Sequence, residues 1–478
     1  MSTTSSTNIA IDFGTSNTVV SIWDVAGKQP QTIHIPGFSR IVQHAGIEMY
    51  VVPSLIHFTA TNQFKIGEEV RKINAESSQN TFRKMKSYVR VASPSTRIIH
   101  GKRMTYQEAG VSFLRHLMER LTKESGLSPD KIAISVPVDS FEAYNKWLAD
   151  NIGGTAKFRL IDEPVAAALG YGVRSADNRP LLIFDFGGGT IDLAVVVPEK
   201  LDSKPFPSCR VIGKAGLNLG GEDIDEWLAE KVLLDNKLTR LSPGMDDMWP
   251  LLVTECQQLK EKLSARDKAS ILVMNPSTGS VLEASFTKQD FEEILRAKGV
   301  FKQINSCINN VLKKSEERGF TEVDISRVVM VGGGSLIPSI QKCLSERFGA
   351  RVSLERPLDA VARGATMMLA GVECVDYIQH CYAVKSRNSA TKAYEYHIIV
   401  PKGAPYPSTA AIKSKKLLAT SDGQVKFGLE VFEISLDPAG GNGATSHLRA
   451  GKLSDQEFKL YQHSFMVGHA ATFMHADP

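Results

Sequence analysis

Two stretches of this chain end an apolar run on a carboxylate and follow it with a turn of small residues. Ile9-Ala10-Ile11 leads into Asp12, then Phe13-Gly14-Thr15-Ser16-Asn17, then Thr18-Val19-Val20. Leu182-Ile183-Phe184 leads into Asp185, then Phe186-Gly187-Gly188-Gly189-Thr190, then Ile191-Asp192-Leu193. Each pattern reads as a tight β-hairpin. Turns so poor in side-chain bulk leave backbone N–H groups bare, which suits close approach of phosphate oxygens. Asp12, Asp185 and Asp192 supply the oxygen ligands that Mg²⁺ prefers, acting through its waters, and can help activate a water. Asp is also a common turn residue, so one such hairpin alone carries little. The repeat argues for two related halves closing on one polyphosphate.

Further polar groups stand at element boundaries. In Leu160-Ile161-Asp162-Glu163-Pro164-Val165-Ala166-Ala167-Ala168, Glu163 sits where a strand passes into a helix. It reads either as a third carboxylate facing the metal or as a partner of the helix dipole. Val329-Met330-Val331-Gly332-Gly333-Gly334-Ser335 is a strand and a glycine turn before a helix at Pro338, a geometry suited to a base, ribose or phosphate. Arg71 and Lys72 offer cations that could reach a γ-phosphate, or belong to a solvated charged face. No GxxxxGK[ST] run is present, which excludes a P-loop, and no GxGxxG opens a βα unit.

The elements that must position these residues alternate. Strands are expected at 50–58, 131–138, 158–162, 270–274, 280–286 and 327–331. Helices are expected at 106–125, after Asp139 or Ser140, from Pro164, after the run Gly220–Asp225 through Leu234, at 250–264, from the Thr287/Asp290 capping box to about Arg318, from Pro338, and at 357–371. Strand–helix alternation points to an α/β fold with helix-covered sheets. From Cys374 the character changes to Lys-, Gly- and Ser-punctuated sequence with strands at 394–400 and 425–434 and a flexible Gly-rich loop at 439–445.

Composition narrows the function class. A net charge of +4 over 478 residues, with Lys and Arg dispersed, gives no argument for nucleic acid. Six cysteines without CxxC spacing argue against zinc or a disulfide framework and favour a reducing cytoplasm. Met1 to Asn8 lacks the charged start and apolar core of a secretory signal, and no apolar run approaches the ~20 residues that span a bilayer, so no membrane partner is expected.

In order and spacing, these motifs resemble the nucleotide-binding domain of the heat shock protein 70 (DnaK-type) chaperones, within the actin-like ATPase superfamily. The resemblance covers about residues 8–372. The run Gly220-Gly221-Glu222-Asp223-Ile224-Asp225 favours this family over actins and sugar kinases. The resemblance implies a duplicated actin-like ATPase fold: lobe I at about 8–180, lobe II at about 181–355, the last helix (357–371) returning to lobe I, and 373–478 as a β-rich appendage resembling a truncated substrate-binding domain. It implies ATP or ADP with Mg²⁺, and K⁺ as a further candidate, as cofactors. Unfolded or client polypeptides and co-chaperones are the implied partners besides the nucleotide. Thr15, Ser16 and Asn17 would cradle phosphates from one side and Gly187, Gly188, Gly189 and Thr190 from the other. Asp12, Glu163 and Asp185 would hold hydrated Mg²⁺, and Asp192 with Thr190 would orient the attacking water. Lys260, Ser264, Gly333, Gly334 and Ser335 would contact the adenosine, with Gly220, Gly221 and Glu222 also at the nucleotide.

The chain departs from that family's pattern at three places. Arg71 stands where the catalytic lysine aligns. A planar guanidinium there crowds the attacking water and predicts slow hydrolysis. Leu336 replaces an arginine that stacks on adenine, at a loss of roughly 0.5–2 kcal/mol. The tail is much shorter than a substrate-binding domain with a helical lid. The expected function is an ATP-binding, slowly hydrolysing chaperone-like protein, with in-line attack on the γ-phosphate. The alternatives are a nucleotide-gated scaffold without significant hydrolysis and a small-molecule kinase of the same superfamily.

Overall fold

Each apolar run that precedes a hairpin carboxylate becomes an interior strand of a sheet, buried on both faces. The computed structural model describes residues 7–59, 63–125, 129–152, 156–171, 179–199, 208–275, 279–378, 380–388, 390–406 and 412, with the strands 426–434, 452–454 and 469–475. In the first sheet, β1 (Thr7–Phe13) pairs antiparallel with β2 (Asn17–Asp24), placing Asp12 opposite Val19. With β3 (Gln29–Thr32), β4 (Arg40–His44), β5 (Ile47–Pro53), β11 (Pro129–Val136) and β12 (Lys157–Asp162), the order is β12-β11-β1-β2-β5-β4, and β3 pairs with β2. Strand β11 runs parallel to β1 and to β12.

The second sheet repeats this plan. Strand β13 (Leu181–Phe186) pairs antiparallel with β14 (Ile191–Glu199), Asp185 facing Asp192, and parallel with β18 (Arg327–Val331). Strands β15 (Ser208–Leu217) and β19 (Val352–Ser353) extend it in the order β19-β18-β13-β14-β15. Parallel strands require crossovers, and helices supply them over both sheets. Between β5 and β11 the first lobe carries a small outgrowth. It holds β6 (Ile56–Phe58), β7 (Phe64–Ile66) and β8 (Thr81–Phe82) as one sheet, β9 (Thr96–Ile99) with β10 (Lys102–Thr105) as another, and α1 (Glu68–Lys72), α2 (Met85–Arg90) and α3 (Tyr106–Ser125).

Helix α4 (Glu142–Ile152) follows β11, and α5 (Glu163–Gly170) follows β12 directly. In the second lobe come α6 (Gly221–Asp235), α7 (Met245–Ala265), the hairpin β16 (Lys268–Met274) and β17 (Val281–Thr287), α8 (Lys288–Ala297), α9 (Val300–Glu316) and α10 (Pro338–Phe348), after which α11 (Ala360–Leu369) returns to the first sheet. The single helix expected from Thr287 to Arg318 is two, because Gly299 takes φ 72°, a left-handed conformation that ends one helix before the next begins. Helix α7 starts before Pro250 rather than at it, from Gly244 in a left-handed cap. The lobe II core joins Phe184, Phe186 and Leu193 of the sheet to Ile224 and Leu228 of α6, Leu252 and Leu259 of α7 and Ile304 and Ile308 of α9.

Helices α5 and α11 cross at two glycines. A Cβ on Gly170 would overlap the Ala360 carbonyl, and one on Gly364 would overlap the Ala166 carbonyl. Helix α5 packs against β13 and β14 of the second sheet, and α11 against β1, β2 and β11 of the first.

Contacts group the chain into two compact units, residues 1–138 with 147–374, and residues 139–146 with 375–478. Residues 139–146, placed in the first domain from the sequence, thus group with the C-terminal unit. That unit contains a five-stranded antiparallel sheet ordered β25 (Lys452–Ser454), β22 (Tyr394–Val400), β21 (Cys381–Arg387), β24 (Lys426–Ile434) and β26 (His469–His475). Cys381, Ala383, Tyr396, Ile398, Phe432 and Ile434 form its core. Glu433 accepts from the Glu142 backbone N–H at 2.7 Å and from His380 Nδ1 at 2.8 Å, and Phe141 stacks on the His380 ring. The Gly-rich stretch 439–445 lies outside the described residues. All six cysteines are free thiols. Among the described residues, no helix is long and apolar enough to cross a membrane.

Candidate functional site

The two hairpin turns meet across a cleft between the lobes. Asp12, Gly14, Thr15, Ser16 and Asn17 line one wall. Asp185, Gly187, Gly188, Gly189 and Thr190 line the other, with Glu163 and Lys86 between them and Gly332, Gly333, Pro357, Leu358 and Val361 at one side. A Cβ on Gly188 would run into Ser16 Oγ, so only hydrogen fits where the turns approach. The first turn is fixed by Ser54, whose Oγ donates to the Gly14 carbonyl at 2.8 Å and whose backbone N–H donates to the Ser16 carbonyl at 3.0 Å. The second is closed by Gly187 N–H on the Thr190 carbonyl at 2.9 Å.

Acidic side chains crowd the floor. Asp12 accepts from Ser135 Oγ at 2.6 Å. Its carboxyl is raised to about 6 by its enclosure in protein and by Glu163, against the opposing pull of Lys86 and Ser135. Asp185 lies well above the ordinary carboxylate range, through burial first and then repulsion from Glu163, Asp12 and Asp192. Groups held this far from their preferred ionisation invite a cation. Lys86, 5% exposed, answers part of that charge through an ion pair with Glu163. Asp192 is buried one strand over, opposite Asp185, and accepts from the Val138 N–H at 2.9 Å.

Of the residues singled out from sequence, Asp12, Thr15, Ser16, Asn17, Glu163, Asp185, Gly187, Gly188, Gly189, Thr190 and Gly333 line this one cleft. Others support it from behind. Gly221 and Glu222 donate backbone N–H bonds to the Gly187 and Gly188 carbonyls at 3.1 and 2.8 Å, and Gly220 packs on Gly188, so this run braces the second glycine turn. Lys260 is taken up by Asp225 at 2.7 Å and by the Gly221 carbonyl at 2.6 Å, with Ser264 Oγ donating to its own carbonyl at 3.0 Å. Gly334 packs on the Phe186 ring, and Ser335 is fully buried, its hydroxyl on the Val331 carbonyl at 2.6 Å.

Arg71 is placed differently from expectation. Its guanidinium pairs with Glu76 at 2.8 Å, and the cation lining the cleft is Lys86. The reason is the packing of α2: Met85, Lys86 and Val89 are all buried, so the helix turns Lys86 inward among the carboxylates. That spacing was readable, but Lys86 stood in a run of charges that reads as a solvated face. Its neighbours clasp lobe II. Arg83 Nη2 donates to Gln257 Oε1 at 2.8 Å and Nη1 to Thr254 Oγ1. Lys84 pairs with Glu226 at 3.1 Å and Glu222 at 3.6 Å, and Arg90 donates to Asn218 at 2.8 Å.

The residues present fit a magnesium-bound polyphosphate. The carboxylates are strained toward neutrality without a cation, the glycine turns present N–H groups, and Asn17 Oδ1 is buried without a hydrogen-bond partner. Among the described residues, no group of three His, Cys, Asp or Glu is placed to hold a metal ion. The cavity is about 100 Å³.

A family model described as Hsp70 protein matches residues 90–376, more than half of the chain. Members of that family are ATP-binding, chaperone-type ATPases with the actin-like fold of two helix-flanked lobes, which the paired sheets here display. On the shared plan of the two lobes and the extent of that match, the chain belongs to the Hsp70 family.

Proposed function

We propose that this chain binds Mg·ATP between its lobes and hydrolyses it by in-line attack of water, with no covalent intermediate on the protein. The observation that carries this reading is the meeting of two glycine turns from related hairpins over one acidic floor with a single buried lysine lining it. The N–H groups of the turns at Thr15–Asn17 and Gly187–Thr190 hold the phosphate oxygens. Lys86 exchanges Glu163 for the γ-phosphate, where a compact ammonium stabilises charge developing at the transferred group. Glu163, Asp12 and Asp185 are the residues that would hold the hydrated ion. Asp192 and Thr190 orient the attacking water. A bound Mg²⁺ would supply neutralisation of phosphate charge and a fixed template of waters. Arg71 pairs with Glu76, and slow turnover from a guanidinium beside the attacking water stays part of the proposal, tested by Arg71→Lys.

Calorimetry tests the reading directly. ATP should bind much more tightly with Mg²⁺ than in chelator, and Asp185→Asn should remove most of that difference while leaving metal-free binding nearly intact. Equal affinities for Mg·ATP in both proteins would refute the role of the carboxylates. Tight binding with no phosphate release from chaperone-free preparations would assign the chain to the nucleotide-gated scaffold instead. The client polypeptide and co-chaperone remain part of this proposal by family kinship alone.

A further inference from the structure

Two consecutive carboxylates mark the junction of β12 and α5, and two buried lysines grip them. Glu163 takes Lys86, and Asp162 takes Lys214 of β15, whose side chain is 2% exposed. Asp162 stands at the N-cap of α5 in extended conformation, yet its side chain makes no capping hydrogen bond. An Asp at that position ordinarily accepts from an N–H of the first turn. Here that stabilisation is forgone and the carboxylate is turned to Lys214. Lys214 is almost fully buried while Asp162 keeps 20% of its side chain exposed; desolvation of the lysine offsets much of the pair's attraction, and selecting one arrangement is the better-attested use of such a pair.

The location of Lys214 says which arrangement. It lies opposite Ala194 of β14, two residues from Gly216, which faces Asp192. Lys314 Nζ donates to the Lys214 carbonyl at 2.8 Å and pins its backbone to α9. The pair therefore ties the lobe II sheet, beside the strand that carries Asp192, to the residue preceding Glu163. We propose that Lys214 is a positioning residue for the phosphate site: through Asp162 it holds the β12–α5 junction, so that Glu163 keeps its aim into the cleft when Lys86 leaves it for phosphate. This rests on the nucleotide reading above.

The test uses the full chain, with ATP titrated calorimetrically in Mg²⁺ and in chelator, beside thermal melts. In Lys214→Met and in Asp162→Asn, the gain in affinity conferred by Mg²⁺ should fall at least fivefold, while affinity in chelator stays within twofold of wild type. The double variant should lose no more than either single one, because both remove the same contact. Asp162→Asn keeps the side chain's shape while removing the charge that Lys214 pairs with, and it supplies the readout if Lys214→Met fails to fold. An unchanged Mg²⁺ gain in a folded variant, or equal losses with and without Mg²⁺, would overturn the proposal. Wild-type protein that binds no ATP at all would instead sink the nucleotide reading, before any variant is compared.

Discussion

At the scale of single residues, the cleft turns on which cation faces its carboxylates. Lys86 does, and Arg71 is occupied by Glu76. Lys86→Met should therefore lower the single-turnover rate of ATP hydrolysis by about 10²–10³-fold, the usual loss when one charge-stabilising donor is removed. Arg71→Lys should raise that rate by relieving the attacking water of the guanidinium. An unchanged rate in the same assay would remove the argument for slow turnover. The two residues also show what sequence can and cannot tell. Asp12, Asp185 and the glycine turns were legible because backbone geometry dictates their residue types locally. Lys86 was not, because its role depends on which way a six-residue helix faces, and that is decided by Met85 and Val89 packing inward. Lys260, read from sequence as an adenosine contact, pairs with Asp225, a partner that sequence spacing does not announce.

At the scale of elements, the segment from Arg83 to Arg90 lies across the cleft onto α6 and α7. Partly exposed pairs of this kind contribute about 0.2–1 kcal/mol each and weaken in salt. Lys84→Ala should speed release of bound nucleotide about three- to tenfold, and raising salt to about 0.5 M should narrow the gap between variant and wild type; stopped-flow displacement of a fluorescent nucleotide measures both. Glu222, on α6, makes a separate prediction. Burial pushes its carboxyl up to about 7, with Asp225 adding and Lys84 and Arg83 opposing. A raised carboxylate means the folded protein holds a proton that the unfolded chain has lost. The stability Glu222 contributes is thus greatest at low pH and declines as pH rises from about 4.5 through 7. Relative to Glu222→Gln, the wild type should lose about 1–3 kcal/mol between pH 5 and 8, read from denaturant melts at each pH. Element boundaries were readable wherever periodicity was strong, as in α3 and the two hairpins. They failed at α8 and α9, where a continuous amphipathic pattern hid the break that the backbone of Gly299 imposes.

At the scale of the whole nucleotide-binding unit, the lobes share one architecture because each sheet repeats a hairpin with a parallel neighbour beside its first strand. That duplication was legible in the text of the two turns. The crossing of α5 and α11 was not, since nothing near Gly170 announces the Ala360 carbonyl that will lie against it. Gly364→Ala must push the helices apart and should cost about 1–3 kcal/mol or more, visible as a lower melting temperature. A folded Gly364→Ala protein with unaltered melting would mean the crossing has slack.

The same crossing sets how the molecule can open. One helix rides with each sheet, and they touch backbone to backbone beside the cleft, where Glu163 begins one and Val361 belongs to the other. Such a contact acts as a fulcrum, permitting pivoting while resisting separation. Glycine turns so near the pivot travel little, whereas the rim that carries Arg83 and Gln257 sweeps a longer arc. A slight swing about that contact would thus move the far rim more than it moves the two glycine turns.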